Sequence, residues 1–419
     1  MFEVVARANI HQQQVVKLLK QRSRVHSSLV YQQARIATLE QHLCAHLYAL
    51  LDVKRDELPS EILALVSALE ILSDEQLNSE QLFAYYEQET SSADALALSN
   101  AIILLVSLLP SAYLENKLAL TFEHSYLEET LYRNSQLLEL LVHLAVPWPA
   151  EPLQVIRQSV LAEQFTPSLS VACLLFGQAN VTTQELAKGY QHAQFSIAQA
   201  SFVKGLIIDE TNAKNALFNR FAKTPDVDEK ATLLVLAGLS GDSRWIEPCI
   251  IFCQDYPEHT FNVLSHFQHK IFFNIFITLM AIAQTSDEAY RAWLLITNIP
   301  LLKKPQLQDH NNKHKQAGEQ NLPNTDQAEL HRQALLQQPG EKMLTGIEFS
   351  NNDAAQKLQG LQGKAVQHAL LLSPVIDSAI TLYSQQLSAI SLKKIITQTP
   401  KSTRSDTNKH VIKGALHVA

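Results

Sequence analysis

Two cysteines four residues apart, Cys249 and Cys253, are the first residues whose type and spacing could support chemistry. On a helix this spacing puts both thiols on one face, where His266 or His269 could complete a metal site. Zinc sites usually gather their cysteines in a tight knuckle, whereas the sequence around this pair has the periodicity of a regular amphipathic helix. We therefore predict that both cysteines are buried in the core, as free cysteines commonly are.

Two histidine pairs have the same four-residue spacing. His42 and His46 flank the apolar positions of a predicted helix, which favours a place at the edge of that apolar stripe over a catalytic role. His310 and His314 lie among Gln, Asn and Lys residues with almost nothing to bury. Such a composition predicts a solvated loop and not a pair of metal ligands.

Three tryptophans, Trp148, Trp245 and Trp293, are candidates for contact with a partner. Tryptophan is enriched among the residues that contribute most to protein–protein binding, so each could anchor a partner. Large aromatic side chains also pack between helices inside a protein, and this second role is the more common one. Both alternatives stay open for these three residues.

Five basic residues are concentrated near the N-terminus, at Lys17, Lys20, Arg22, Arg24 and Arg35. They could dock an acidic partner. A helix face exposed to solvent is the simpler interpretation of such a cluster, and it is the one that we adopt.

The sequence contains none of the short motifs that carry common catalytic or phosphate-binding chemistry. It has no G-x-x-x-x-G-K-[ST] or G-x-G-x-x-G loop, no G-x-S-x-G and no H-E-x-x-H. We therefore predict that the protein is not an enzyme, and we assign it no catalytic, cofactor-binding or metal-binding residue.

The composition of the 419-residue chain indicates a folded helical protein. Hydrophobic residues make up 46% and charged residues 18%, which excludes intrinsic disorder as the general state. The net charge of −7 gives no electrostatic basis for binding nucleic acid. The longest apolar stretches, Ala101–Leu109 and Ile271–Ala283, fall short of the roughly 20 residues that span a bilayer. With four scattered cysteines and no recognisable signal peptide, we expect a cytoplasmic protein.

Helical periodicity dominates the chain, and alternation typical of strands is nearly absent. Three apolar phrases end at Gly177, Gly205 and Gly238, which lie 28 and 33 residues apart. We expect each of these glycines to end a helix. Phrases that recur at such a spacing are typical of tandem helix pairs stacked into an α-solenoid, here with degenerate repeats.

The unit that ends at Gly238 is the clearest of the three. Residues 226–239 are predicted to form one helix, Gly241 and Asp242 a tight turn, and residues 244–254 a second helix. The whole chain is then divided into an N-terminal helical module, irregular helical pairs, a repeat array, a polar and partly mobile linker, a C-terminal helical module and a basic tail. Their predicted bounds are 1–57, 58–146, 147–302, 303–338, 339–397 and 398–419.

Several phrases resemble the HEAT-like repeat proteins encoded in bacterial type VI secretion gene clusters. Residues 231–242 resemble a HEAT repeat, in which an apolar phrase with Gly and a Gly-Asp turn leads into the second helix. Residues 34–50 resemble the N-terminal phrase of that family, residues 289–298 the end of its repeat array, and residues 340–346 its C-terminal element. The resemblance follows the order of the chain, although Asn298 stands where the family has Gly.

The resemblance implies an all-α fold, an α-solenoid of degenerate HEAT-like helix pairs with helical extensions at both ends. It also implies a non-enzymatic scaffold or adaptor that binds type VI secretion components or effectors. An immunity protein or a chaperone for a secreted effector is the first alternative, and a HEAT-type enzyme acting on nucleic acid is the second. Neither the binding face nor the oligomeric state follows from the sequence.

Overall fold

The computed structural model describes residues 2–73, 182–208, 212–305 and 321–370, with short helical fragments at 97–98, 101–102 and 104–105. This part of the chain is mostly helical, which confirms the all-α class. The chain divides into two compact units. The first comprises residues 1–182, 360–367 and 374–419, and the second comprises residues 183–359 and 368–373.

The helices and strands are numbered here in chain order. The helices are α1 Phe2–His26, α2 Gln33–Tyr48, α3 Ser60–Ser73, α4 Thr183–Tyr190, α5 Phe195–Ile207, α6 Ala213–Lys223, α7 Val227–Ser240, α8 Ile246–Asp255, α9 Thr260–Leu264, α10 Phe273–Met280, α11 Ser286–Thr297, α12 Thr325–Leu336, α13 Ala354–Lys357 and α14 Lys364–Leu370. The strands are β1 Tyr31–Gln32, β2 Lys303–Pro305, β3 Asn321–Pro323, β4 Lys342–Leu344, β5 Ile347–Phe349 and β6 Leu361–Gln362. None of the helices in these ranges is both long enough and apolar enough to cross a membrane.

Helices α1 and α2 pack against each other in the first unit. The apolar stripe predicted on α2 is confirmed, because Ile36, Leu43 and Leu47 are fully buried. Such a stripe at three- and four-residue spacing explains why this segment forms a helix and which face it buries. The basic cluster predicted near the N-terminus lies on these two helices.

A buried ion pair joins α1 to α2. Arg22 donates from Nε to Oε1 of Glu40 at 3.0 Å, and both side chains are almost completely enclosed. Burial, together with the nearby charge of Glu40, raises the pKa of Tyr31 to about 12. Arg22 therefore holds two helices together and does not belong to an exposed basic face.

The helix pair predicted around Gly238 is confirmed as α7 and α8. Asp226 caps α7, since its carboxylate accepts a hydrogen bond from the backbone N–H of Glu229 at 2.8 Å. The helix ends at Ser240, and Gly241 follows it with a φ of 61° that suits glycine. A short 3₁₀ turn, Ser243–Trp245, then leads into α8.

The prediction that Gly205 and Gly238 end their helices is wrong. Both lie inside a helix, since α5 continues to Ile207 and α7 to Ser240. A Cβ at Gly205 would collide with the hydroxyl of Tyr190, and one at Gly238 would collide with the backbone carbonyl of His266. These glycines are therefore required by close packing between elements and not by helix termination. Gly177 lies outside the described residues.

The helices of the second unit pack on their sequence neighbours in an alternating pattern. Each of α4, α6 and α10 contacts the next helix along the chain. Alternate helices also contact each other, in two sets. One set joins α5 to α7, α7 to α9 and α9 to α11. The other set joins α4 to α6, α8 to α10 and α10 to α12. Two sets of helices related in this way are expected of stacked helix pairs. A solenoid of HEAT-like repeats stays a prediction.

Short antiparallel strand pairs interrupt the helical pattern, and the sequence does not predict them. They are β1 with β6, β2 with β3, and β4 with β5. The β4–β5 hairpin turns at Thr345 and Gly346, which have φ values of 53° and 78°. The backbone N–H groups of this turn donate at 2.9 Å to the carbonyls of Leu295 and Ile296, near the end of α11. The hairpin thus satisfies orphan carbonyls of that helix.

Part of the segment predicted to be a polar linker forms regular structure. Strands β2 and β3 pair within it, and α12 buries Ala328 and Leu335 on one face. Asn324 caps α12 by accepting from the backbone N–H of Gln327 at 3.2 Å. Residues 306–320, with His310 and His314, lie outside the described residues, as do residues 74–96, Trp148 and the predicted basic tail.

Candidate functional site

The predicted core cysteines are confirmed. Cys249 and Cys253 are both fully buried in α8. Burial raises the pKa of the Cys249 thiol well above its usual range, and a hydrogen bond with Cys253 raises it further. A thiol with a raised pKa is a poor nucleophile and a poor metal ligand. Within the described ranges, no group of three His, Cys, Asp or Glu side chains could hold a metal ion.

His46 contacts a second histidine, His11, across the two helices. Its Nδ1 lies 2.8 Å from Nδ1 of His11 on α1, so one ring must donate a proton to the other. Burial lowers the pKa of His46, and the neighbouring His11 and His42 lower it further. His42 itself is exposed. The pair links α1 to α2, which is a structural contact.

Trp245 and Trp293 are packing residues. Both are fully buried, Trp245 against Phe218 and Phe221, and Trp293 against Phe273. The indole N–H of Trp293 also donates to the carbonyl of Ile299 at 3.0 Å.

The other basic residues near the N-terminus are solvated. Lys17, Lys20, Arg24 and Arg35 are exposed, in contrast to Arg22. The prediction that the basic residues are exposed to solvent is therefore confirmed for these four.

A cleft of about 690 Å³ lies in the second unit, between α4, α6 and the start of α7. We call it the amide cleft, because several of the side chains that line it are Asn or Gln. Its lining residues are Ala187, Tyr190, Gln191, Asn212, Asn215, Ala216, Asn219, Arg220, Lys223, Thr224 and Glu229.

Helix α6 presents one face to the amide cleft. Asn215, Asn219 and Lys223 follow one another at four-residue steps, so their side chains form a single stripe along that face. Leu217 is buried on the other side of the helix and holds α6 in place. All three stripe residues are exposed. The stripe therefore meets any molecule that enters the cleft.

The amides of the stripe retain free hydrogen-bonding groups. Asn215 accepts a hydrogen bond from Arg244 at 3.0 Å through Oδ1, which orients its amide and leaves the NH₂ group as a donor. The amide of Asn219 has no partner among the described residues. An Asn side chain carries a carbonyl acceptor and an N–H donor, the same pair of groups as a peptide unit.

Arg220 forms the fixed wall of the cleft. Its Nε donates to Oε1 of Glu229 at 2.7 Å, which joins α6 to α7. Its Nη1 donates to the carbonyl of Tyr190, the last residue of α4, at 3.4 Å and to the carbonyl of His192 at 2.9 Å. One guanidinium group thus positions three elements around the cleft.

Tyr190 closes the same wall from the side of α4. Its ring stacks on Phe202 at 4.9 Å, and its hydroxyl lies over Gly205 of α5. Gly205 therefore leaves the space that this ring needs. The wall is built before any ligand binds, so little conformational entropy is lost on binding.

A second cluster of titratable groups is buried around β4. Lys270 and Lys342 are 4% and 2% exposed. Burial lowers the pKa of Lys342 to about 8, partly opposed by the charge of Glu341. The backbone of His269 pairs with that of Lys342 in an isolated antiparallel bridge. Burial lowers the pKa of His269 to about 3.

His368 belongs to the same buried cluster. Its ring contacts that of His266 with centroids 4.8 Å apart. Burial lowers the pKa of His368 well below its usual range, and the nearby His266 and Lys342 act in the same direction. Groups with shifted pKa values often mark active sites. Here Lys342 and His368 are enclosed by the protein, so their pKa shifts act on stability.

No protein-family model, curated protein or solved structure matches the chain. The functional interpretation therefore rests on the residues themselves. Sequence reasoning missed the amide cleft, although the four-residue spacing of Asn215, Asn219 and Lys223 is visible in the sequence. What the sequence does not indicate is that α4 and α7 leave that face of α6 uncovered.

Proposed function

We propose that the protein is a non-enzymatic helical scaffold that binds an extended segment of a partner protein in the amide cleft. The observation that carries this proposal is the pair of exposed amides, Asn215 and Asn219, on one face of α6 inside the cleft. An amide side chain can hydrogen-bond a peptide group whatever side chain that residue carries. They therefore suit a scaffold that holds a segment in a fixed register.

The spacing of the two amides matches an extended chain. Residues four apart on an α-helix are separated by about 6 Å along its axis. Alternate residues of an extended strand, whose peptide groups point the same way, are separated by about 6.6 Å. Asn215 and Asn219 can therefore bond alternate peptide groups of one bound segment.

The partner is proposed to be a type VI secretion component or an effector, by the resemblance of the chain to proteins encoded in those gene clusters. The cleft supports the binding function, and the resemblance supports the context. An immunity protein or effector chaperone would use the same binding chemistry. Co-expression with a neighbouring toxin distinguishes it, since only a protective partner restores growth.

A selection experiment tests the binding function. A library of displayed random 12-residue peptides is selected on the full-length protein and counter-selected on the Asn215→Leu/Asn219→Leu variant. The affinity of recovered peptides is then measured by fluorescence anisotropy. We expect peptides whose affinity falls at least about tenfold in the variant, because two buried peptide groups lose their partners.

The matched control is Gln254→Leu/Asn262→Leu, which removes two exposed amides outside the cleft. It should bind the selected peptides as the unaltered protein does, and both variants should retain the helical circular dichroism spectrum. Peptides that bind all three proteins equally, or no enriched peptide at all, would contradict the proposal.

A further inference from the structure

The charges that line the amide cleft are not balanced. Its charged side chains are Arg220, Lys223 and Glu229. Glu229 is paired with Arg220 at 2.7 Å, and both side chains are largely shielded from solvent. Lys223 has no ion-pair or hydrogen-bond partner within the described residues. Among the described residues, one positive charge in the cleft is therefore uncompensated.

Lys223 continues the stripe formed by the two amides. It lies four residues beyond Asn219 on α6, about 6 Å further along the helix. A segment that bonds Asn215 and Asn219 through its backbone would bring its next residues against the ammonium group. Nη2 of Arg220, three residues before Lys223, likewise has no partner within the described ranges and can add a second donor.

A helix C-terminus favours basic residues regardless of any ligand, and Lys223 is the last residue of α6. That effect stabilises the helix but predicts no dependence of peptide affinity on charge. Helix α6 also carries three basic residues and no acidic one. The bound segment therefore meets a helix face with a positive potential.

We infer that the segment bound in the amide cleft presents a carboxylate to Lys223. This inference rests on the proposed binding function. The carboxylate comes from an Asp or Glu side chain of the segment or from its C-terminal carboxyl group. Both have the same chemistry, and the experiment separates them.

Defined peptides provide the probes. Fluorescein-labelled 12-residue peptides with the repeat Ser-Glu, Ser-Gln or Ser-Lys are titrated with the full-length protein, each as a C-terminal amide. The Ser-Gln peptide is also made with a free C-terminal carboxyl group. We expect the Ser-Glu peptide to bind more tightly than the neutral amide by at least about fivefold, and the Ser-Lys peptide to bind most weakly.

The variant Lys223→Glu reverses the inferred contact. It should lower the affinity for the Ser-Glu peptide about tenfold, since attraction is replaced by repulsion. The affinity for the neutral amide should change by less than about twofold. The control Lys230→Glu changes a charge on α7 that does not line the cleft, and it should leave the order of peptide affinities unchanged. A preference for the free-acid Ser-Gln peptide that is lost in Lys223→Glu assigns the carboxylate to the C-terminus.

The failures of the two proposals are distinguishable. If the neutral amide binds through the two asparagines and the Ser-Glu peptide binds no better, the carboxylate inference is overturned and backbone recognition stands. If no peptide depends on Asn215 and Asn219, both are overturned. Tighter binding of a dodecathymidylate strand than of the Ser-Glu peptide, lost in Lys223→Glu, would overturn the peptide partner in favour of nucleic acid.

Discussion

Lys270 and Lys342 are buried beside the same backbone bridge, but only Lys270 has partners for its ammonium group. Lys270 Nζ donates to the carbonyls of Leu335 and Gln338, at 2.8 Å and 3.2 Å, and forms an ion pair with Glu348. Within the described residues, the ammonium of Lys342 has neither a hydrogen bond nor an ion pair. The two lysines are therefore expected to affect stability in opposite directions.

Replacing Lys342 with Met should stabilise the protein at pH 7. The pKa of Lys342 is about 8 against a usual value of 10.5, so burying its charged form is unfavourable. That shift corresponds to about 3 kcal/mol, and some of the gain is lost in repacking the new side chain. We expect Lys342→Met to raise the free energy of unfolding in urea by about 1–3 kcal/mol.

Lys270→Met provides the matched control, because it removes a lysine whose charge is satisfied. It should lower the free energy of unfolding by about 3 kcal/mol, since Glu348 loses its buried partner. A destabilised Lys342→Met would contradict our account of that residue.

The effect of Lys342 should disappear at alkaline pH. Its pKa is lower in the folded state than in the unfolded state, so between about pH 8 and 10.5 the unfolded chain binds more protons. The stability of the unaltered protein therefore rises relative to Lys342→Met across that window. Urea unfolding of both proteins at pH 7, 9 and 10.5 measures the difference, and a difference independent of pH would contradict the assignment.

Acid should destabilise the second unit through His269. Its folded pKa is about 3 against a usual 6.5, so below about pH 6.5 the unfolded chain binds a proton that the folded chain excludes. Stability falls by about 1.4 kcal/mol per pH unit for such a histidine. We expect His269→Gln to remove about 2 kcal/mol of the loss between pH 6.5 and 5. Equal losses in both proteins would show that His269 is not the group that titrates.

Gly238→Ala should destabilise the protein although alanine is the better helix former. The helix preference favours alanine by about 1 kcal/mol. The new Cβ collides with the carbonyl of His266, which belongs to the backbone and cannot move cheaply. We expect a net loss of about 2 kcal/mol in thermal or urea unfolding. Thr232→Ala on the same helix should hardly change the free energy of unfolding. An equally small change for Gly238→Ala would contradict the close contact with His266.

The Arg22–Glu40 pair should show strong coupling. Glu40→Leu leaves the Arg22 charge buried without this partner and should cost about 3 kcal/mol. Adding Arg22→Met should recover part of that loss, because the double variant removes both charges of this pair. A double-mutant cycle in urea gives the coupling energy, and additive losses would mean that the two charges act independently.

The helix pair α7–α8 was predictable because its signals are local. Asp226 caps the first helix, Gly241 ends it, and apolar residues recur at helical spacing between them. The apolar stripe of α2 was predictable for the same reason. Each of these features depends on residues within about one or two turns of each other.

Features that depend on contacts between distant segments were missed. Gly238 is needed because His266 packs against it, and Gly205 because Tyr190 does. Both contacts come from distant parts of the sequence, so the local sequence does not reveal why a glycine is needed. Lys342 has a polar side chain in a three-residue strand, and nothing in its local sequence indicates burial. The amide stripe is visible in the sequence, but its exposure depends on how α4 and α7 pack around α6.

The central claim is that the amide cleft holds an extended polypeptide, and photo-crosslinking tests it most directly. Benzoylphenylalanine replaces Ala187, an exposed residue of α4 that lines the cleft, or Gln254, on α8 outside the cleft. Each protein is irradiated with the selected peptides and analysed by mass spectrometry. We predict peptide adducts at residue 187 and none at residue 254. Adducts at residue 254 with none at residue 187 would contradict the claim.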